Sequence, residues 1–266
     1  MSGFDKTPRG PRAVRRETSD AEDAADLQSN LSDLAGLVVG TLGLEDLLAR
    51  VATFASRAIP GADGAGVTLL DVSQDSHRVE ALAASHPFVS QLDEIQYVTL
   101  QEGPCITAAR ERRTVRSGSL GGERRWPRFG PRVGRLGIHS ALSLPLILPG
   151  QLVGALNVYA RGKDVFDDRA VELGELFASP AAVAVHNAQI LTQALALTTQ
   201  LQAALSSRPV IDQAIGLIRG RSGGTAEEAM DRLRAISQAE HTKVVDVARH
   251  LLDEAVGRAR ARHNRG

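Results

Sequence analysis

The stretch Arg208–Gln238, RPVIDQAIGLIRGRSGGTAEEAMDRLRAISQ, decides how this chain is read. Val210, Ile211, Ala214, Ile215, Leu217 and Ile218 place an apolar stripe on a helix ending near Gly220. Arg221-Ser-Gly-Gly224 is a turn, and Thr225-Ala-Glu-Glu228 has capping-box spacing, in which the threonine hydroxyl and the glutamate satisfy free amides of a new first turn. Ala229, Met230, Leu233 and Ile236 then face inward. Thr242 is positioned to cap a third helix whose Val244, Val247, Ala248, Leu251 and Leu252 complete a core. Residues 208–259 are thus expected to form an all-α three-helix bundle, followed by a basic tail, 260–266.

Working upstream, Leu191, Leu195, Thr198, Leu201 and Leu205 step by four, three, three and four residues, close to a coiled-coil seam. Residues 191–207 are read as a connecting helix, and the seam as a dimer contact in preference to packing within one domain. Before it, a helical pattern begins after Asp164, with Phe166, Leu173, Leu176 and Phe177; Pro180 inside it is expected to kink or interrupt the helix. Ser140–Leu148 and Leu152–Tyr159 are strand candidates joined by Pro149-Gly150-Gln151, a hairpin signal. Val67–Val72 and His77–Ala84 are a second such pair. Between the pairs, Pro87–Tyr97, Cys105–Arg112 and Pro127–Leu136 read as short helices, with Thr114–Ser117 a possible strand. Two helices broken near Gly40–Gly43 precede everything. This order gives an α+β domain over 29–190, an antiparallel sheet with helices on its faces.

The 266-residue length suits two domains, each burying a core. Net charge is zero, so attraction to nucleic acid has to come from local patches. Residues 1–28 run from a basic stretch into an acidic one with few large apolar side chains and are expected to be disordered. No apolar run reaches the length of a membrane span and no signal-peptide order is present, which together with the single cysteine points to a cytoplasmic protein. The seven histidines show no metal-ligand spacing, and no phosphate-binding fingerprint or local nucleophile set appears. The expectation is no enzyme, no metal and no cofactor.

With these residues in view, the terminal module resembles an ANTAR domain. The resemblance rests on Arg208-Pro-Val-Ile-Asp-Gln-Ala-Ile-Gly-Leu-Ile218, Thr225-Ala-Glu-Glu-Ala229, Leu233-Arg-Ala-Ile-Ser237 and Val245-Asp-Val-Ala248. It implies binding to paired RNA stem-loops that prevents transcription termination, generally by a dimer. Ile215 departs from the pattern, standing where many members carry lysine. The upstream domain resembles a GAF domain, PAS-like in fold, through Gln96-Tyr97, Glu102-Gly-Pro-Cys105, Arg125-Trp-Pro-Arg-Phe129, Ser143-Leu-Pro-Leu146, Gly154-Ala-Leu-Asn-Val158 and Phe166-Asp-Asp168. The combination is similar to the actinobacterial GAF–ANTAR arrangement, which implies a sensory module for a small molecule, or a dimer scaffold, ahead of an RNA-binding output.

For the RNA surface the candidates are Arg219, Arg221, Arg234, Lys243 and Arg249, each alternatively a solvated helix face. Residues 208–266 carry eleven basic and eight acidic side chains and no aromatic, so the field is modest, stacking on aromatic rings is absent, and two modules acting together are favoured. For a sensory pocket the candidates are Cys105 and Trp126. Cys105 follows Pro104 at a helix start, where free amides can lower a thiol's pKa; its alternative is a buried small hydrophobe. Trp126 is read more readily as core than as a ligand platform, and the arginines around it either form an anion-binding rim or a solvated loop. A DNA-binding regulator and a non-catalytic GAF ligand-binding scaffold are the competing readings of the whole chain.

Overall fold

A computed structural model describes residues 11–37, 42–71 and 78–263. The chain divides into two compact units, Met1–Thr192 and Gln193–Gly266.

The first unit is built on a five-stranded antiparallel sheet of order β2-β1-β5-β4-β3. The strands are β1 (Gly64–Asp71), β2 (Arg78–Ala84), β3 (Val115–Ser117), β4 (Ser140–Leu148) and β5 (Gln151–Ala160). β4 and β5 form the expected hairpin, turned at Gly150, whose φ of 79° favours glycine. Opposite residues share a face, so the register Gly66↔Asn157↔Ser143 lines up one row across three strands. With Thr68 and Tyr159 this row points to one side of the sheet, while Val67, Leu69, Leu142, Leu144, Leu156 and Val158 point to the other.

The apolar side is covered by α1 (Pro11–Ala35), α2 (Leu44–Ala58) and the first part of α6 (Asp168–Ser222). α2 buries Leu47, Leu48, Val51 and Ala55, the spacing of one helical stripe. The opposite side is covered by α3 (Pro87–Asp93), a π-helical turn (Glu94–Leu100), α4 (Pro104–Glu111) and α5 (Phe129–Arg135), around Val89, Leu92, Phe129, Val133 and Tyr159. The antiparallel sheet flanked by helices agrees with the sequence reading.

Two expectations are corrected. Disorder is expected over residues 1–28; the first ten of these lie outside the described residues, and from Pro11 the chain is helical. Leu27 and Leu34, with Leu31 packed beside them, form a stripe at i, i+4 and i+7 that joins the core of α2. Average polarity hides such a stripe. Pro180 does not interrupt α6, which is continuous from Asp168 to Ser222. An interior proline costs about 3 kcal/mol. Phe177, Ala181, Ala182 and Val185 around it are buried against the sheet. A fully buried large side chain contributes roughly 2 kcal/mol, so two or three such residues offset that cost.

The second unit contains the end of α6 with α7 (Ala226–Glu240) and α8 (Val244–His263). Ala214, Leu233, Val247 and Ala248 form its buried centre, ringed by half-buried Val210, Ile211, Ile215, Ile218, Ile236, Val244, Leu251 and Leu252. The capping box is formed: Glu228 N donates to Thr225 Oγ1 at 3.2 Å, and Thr225 N donates to Glu228 Oε2 at 2.9 Å. α8 starts one residue later than the sequence suggests. The Lys243 carbonyl accepts from the Asp246 and Val247 amides, whereas the Thr242 carbonyl accepts the Ser237 hydroxyl at 2.5 Å.

Candidate functional site

In the first unit, the row of small and polar side chains on the sheet meets α3, the π-helical turn and α4. Thr68 on β1, Asp93 ending α3, Gln96 on the π-helical turn, and Ser143 and Asn157 on β4 and β5 are all fully buried, and so is Tyr159. Tyr97 and Cys105 join them, their hydroxyl and thiol hydrogen-bonded to each other. These side chains perturb one another's titration, which places them in one cluster.

Two glycines make room for it. A Cβ at Gly66 would stand 2.8 Å from Asp93 Oδ2, and one at Gly103 would run into Gln96 Oε1. Gly103, at φ 155°, is also in a region L side chains rarely adopt. Gln96 Oε1 accepts from the Cys105 amide at 3.1 Å, and Asn157 Oδ1 accepts from the Ser143 hydroxyl at 2.9 Å. Both carboxamides are thereby oriented. Both oxygens of Asp93 are without a partner, while Gln96 Nε2 and Asn157 Nδ2 lie toward the Tyr159 hydroxyl and the Cys105 thiol, and Thr68 Oγ1 toward Tyr97 and Cys105, without well-formed hydrogen bonds. More than nine in ten buried polar groups in folded proteins are hydrogen-bonded, so several orphans in one cluster mark a place built for something other than packing.

The electrostatics follow from burial. The Asp93 carboxyl, out of water and without an ion-pair partner, is pushed up to about 8. Burial also pushes the Cys105 thiol up to about 12, and the Tyr97 and Tyr159 hydroxyls upward. Cys105 does start α4, yet desolvation outweighs any helix-end effect, and the thiol is held neutral.

Trp126 lies beside this cluster rather than in it. It is buried in the core around Phe129 and Leu120, and its indole N–H donates to Thr107 Oγ1 on α4 at 2.9 Å. The Arg125 guanidinium stacks 4.5 Å above its ring and donates to Glu123 Oε2 at 2.6 Å and the Arg116 carbonyl at 2.8 Å. The pairing with Arg125 holds the Glu123 carboxyl down near about 2. Arg116 in turn pairs with Asp168 at 2.8 Å. Arg125 and Arg116 are thus engaged with protein acceptors, while the neighbouring Arg124 and Arg128 are exposed. Glu102, next to Gly103, caps α5 by accepting from Arg128 N at 2.8 Å and Phe129 N at 3.0 Å.

All five candidate RNA-binding cations in the second unit are exposed. Arg234 is held by Asp231 at 3.1 Å and Arg249 by Asp246 at 2.8 Å, both pairs spaced i, i+3 on one helix. Arg219 Nε donates to the Gly224 carbonyl at 3.3 Å, bracing the turn before α7. Among the described residues, the side chains of Arg221 and Lys243 make no hydrogen bond or ion pair. Ile215 is half-buried against the bundle core, so at this position packing replaces the cation. The stripe on α6 is exposed at Leu195, Leu201 and Leu205, while Thr198 bonds its own helix through the Ala194 carbonyl.

The sequence alone points to Cys105 but not to Thr68, Asp93, Gln96, Asn157 and Tyr159 as a group. A signal is nonetheless there. Asn157 stands in the otherwise apolar run Gly154-Ala-Leu-Asn-Val158, and Asp93 and Gln96 continue the buried stripe of Val89 and Leu92. Polar residues on core-facing positions are the ones to question.

Among the described residues there is no group of three or more metal-ligating side chains, and no helix is long and apolar enough to cross a membrane. Residues 41–186 match the GAF domain family and residues 199–252 the ANTAR domain family. No curated protein matches the chain. Among solved structures, the chain is similar at 15% identity and a TM-score of 0.48 to the GAF domain from Acinetobacter phosphoenolpyruvate-protein phosphotransferase, covering 65% of this chain and 98% of that one. The GAF domain of a Coxiella burnetii phosphoenolpyruvate-protein phosphotransferase is similar at 19% identity and a TM-score of 0.48, covering 66% and 98%. A free methionine-R-sulfoxide reductase from Neisseria meningitidis, solved in complex with its substrate, is similar at 15% identity and a TM-score of 0.49, covering 72% and 99%.

Proposed function

We propose that this chain, which belongs to the GAF domain family and carries an ANTAR domain behind it, is an RNA-binding transcription antitermination regulator. In this reading the first unit senses a small molecule and the second binds stem-loops in nascent RNA, in the cytoplasm where transcripts emerge. The observation that carries it is the matched order, GAF over 41–186 and then ANTAR over 199–252. The second match falls on a capped three-helix bundle with exposed cations on each helix or its flanks.

Both matched families are regulatory rather than catalytic. On the RNA side, Arg221 and Lys243 are the cations most ready to take a phosphate, because no protein partner has to be released first. Arg234 and Arg249 exchange an aspartate for a phosphate, at small cost, since exposed ion pairs contribute about 0–1 kcal/mol. The charge excess of the module is small, so two copies acting on paired stem-loops bind far better than one. The exposed leucines at 195, 201 and 205 supply the surface for a homodimer, an apolar stripe with the periodicity of a coiled-coil seam.

A transcription reporter carrying a tandem stem-loop terminator tests the function. Readthrough rises with the protein if the reading is right; readthrough unchanged with and without it contradicts it.

A further inference from the structure

We infer that the buried cluster of the first unit binds a small organic cation carrying a neutral hydrogen-bond acceptor, with the cation on Asp93 and the acceptor on Gln96 and Asn157. This rests on the reading of the first unit as a small-molecule sensor and names the ligand class.

The lining sets the class. Asp93 offers two carboxylate oxygens with no donor on either, and among the described residues no lysine, arginine or histidine belongs to the cluster. The groups that face it are Tyr97 from the π-helical turn, Cys105 from α4, Thr68 from β1, and Asn157 and Tyr159 from β5; the titratable ones among these are held neutral by burial. An anionic ligand therefore finds no countercharge in the cluster, and its desolvation is not offset by any ion pair. A cation meets the one group that gains a charge partner by binding it, beside tyrosine rings that favour positive charge.

The second half of the ligand is fixed by the two carboxamides. Gln96 Oε1 is committed to the Cys105 amide and Asn157 Oδ1 to the Ser143 hydroxyl, so each presents an N–H to the cluster. Two amide donors take a carbonyl or hydroxyl oxygen. A bare metal ion satisfies Asp93 but leaves both N–H groups facing it, and water alone supplies no charge. Gly66 and Gly103 keep this arrangement in place, since any side chain there displaces Asp93 or Gln96.

Binding has a proton balance. In the free protein at neutral pH the Asp93 carboxyl is protonated. Seating the cation releases that proton to solvent and leaves a carboxylate–cation pair. Affinity for the cation accordingly rises about tenfold per pH unit from pH 6 to 7.

The test uses three molecules of nearly one shape: glycinamide (cationic, with a carbonyl), glycolamide (neutral) and glycolate (anionic). Each is titrated into the full chain while the side-chain amide signals of Gln96 and Asn157 are followed by NMR. Glycinamide is expected to shift both saturably, at least tenfold more tightly than glycolamide, and more tightly at pH 7 than at 6; glycolate leaves them unmoved. Asp93→Asn, close in shape to the protonated acid, loses the preference and the pH dependence. Glycolamide binding as well as glycinamide overturns the cation assignment while leaving a sensor site. Silence from all three, which points to buried water completing the cluster, overturns it too. RNA binding measured on the same samples separates either failure from failure of the output reading.

Discussion

Replacing Asp93 by asparagine tests the physical description of the buried cluster without reference to any ligand. An unfolded aspartate has its ordinary value of 3.8, while the folded Asp93 titrates at about 8. Between these values the folded state holds one proton more than the unfolded one. Stability from this group is fully present below about pH 4, falls as pH rises, and is gone above about pH 8. The slope is about 1.4 kcal/mol per pH unit, so the wild type loses roughly 3 kcal/mol between pH 5 and 7 that the asparagine variant does not. Glu123, held near about 2, moves the other way, its stabilisation being lost as pH falls through that value; it lies outside this window and is common to both proteins. The assay is denaturant unfolding at pH 5, 6, 7 and 8, followed by tryptophan fluorescence. The sole tryptophan, Trp126, is buried in the first unit, so the signal reports that unit alone. Curves for the two proteins that run parallel across the window refute the reasoning, because they mean that Asp93 is solvated or paired in the folded chain.

Three further outcomes are expected. Gly103→Ala drives a Cβ into Gln96 and strains the backbone, so the Trp126 unfolding midpoint should fall by an amount equivalent to about 2 kcal/mol or more. Thr225→Ala removes the capping hydroxyl of α7 and should lower the stability of the second unit, read from its helical melting transition, by about 1 kcal/mol, with the Trp126 transition unmoved. Cys105, buried and pushed up to about 12, should be inert to an aromatic disulfide reagent in the native protein and react at the rate of unfolding; fast native reaction contradicts the buried assignment.

The fold is readable from sequence where one local rule dominates. The β4–β5 hairpin carries a turn between two apolar runs, and the Thr225–Glu228 spacing suits a capping box, so both form as expected. The N-terminal helix escapes a compositional reading because its stabilisation comes from three leucines on one face, in a segment that is otherwise polar. Pro180 misleads because helix continuity there is set by burial of Phe177 and Val185 against a sheet more than fifteen residues away in sequence. The buried cluster is legible only in fragments. Gln96, Tyr97, Cys105, Ser143 and Asn157 all fall in motifs that carry the family resemblance, but strand register alone brings Ser143 opposite Asn157 and Gly66, and register is a long-range property. Among the candidate cations, spacing alone does not separate Arg234 and Arg249, each three residues from an aspartate, from Arg221 and Lys243, which stand clear.

That the second unit reads RNA hairpins is tested most directly by competition between a tandem-hairpin RNA and duplex DNA for the full chain over a series of salt concentrations. Preference for the RNA is predicted, with two protein copies per tandem hairpin. Reversing Arg221 and Lys243 together to glutamate should make the salt dependence shallower, by about 0.7–0.9 in log–log slope for each phosphate no longer neutralised. Equal affinity for duplex DNA, or binding indifferent to the double reversal, contradicts the assignment.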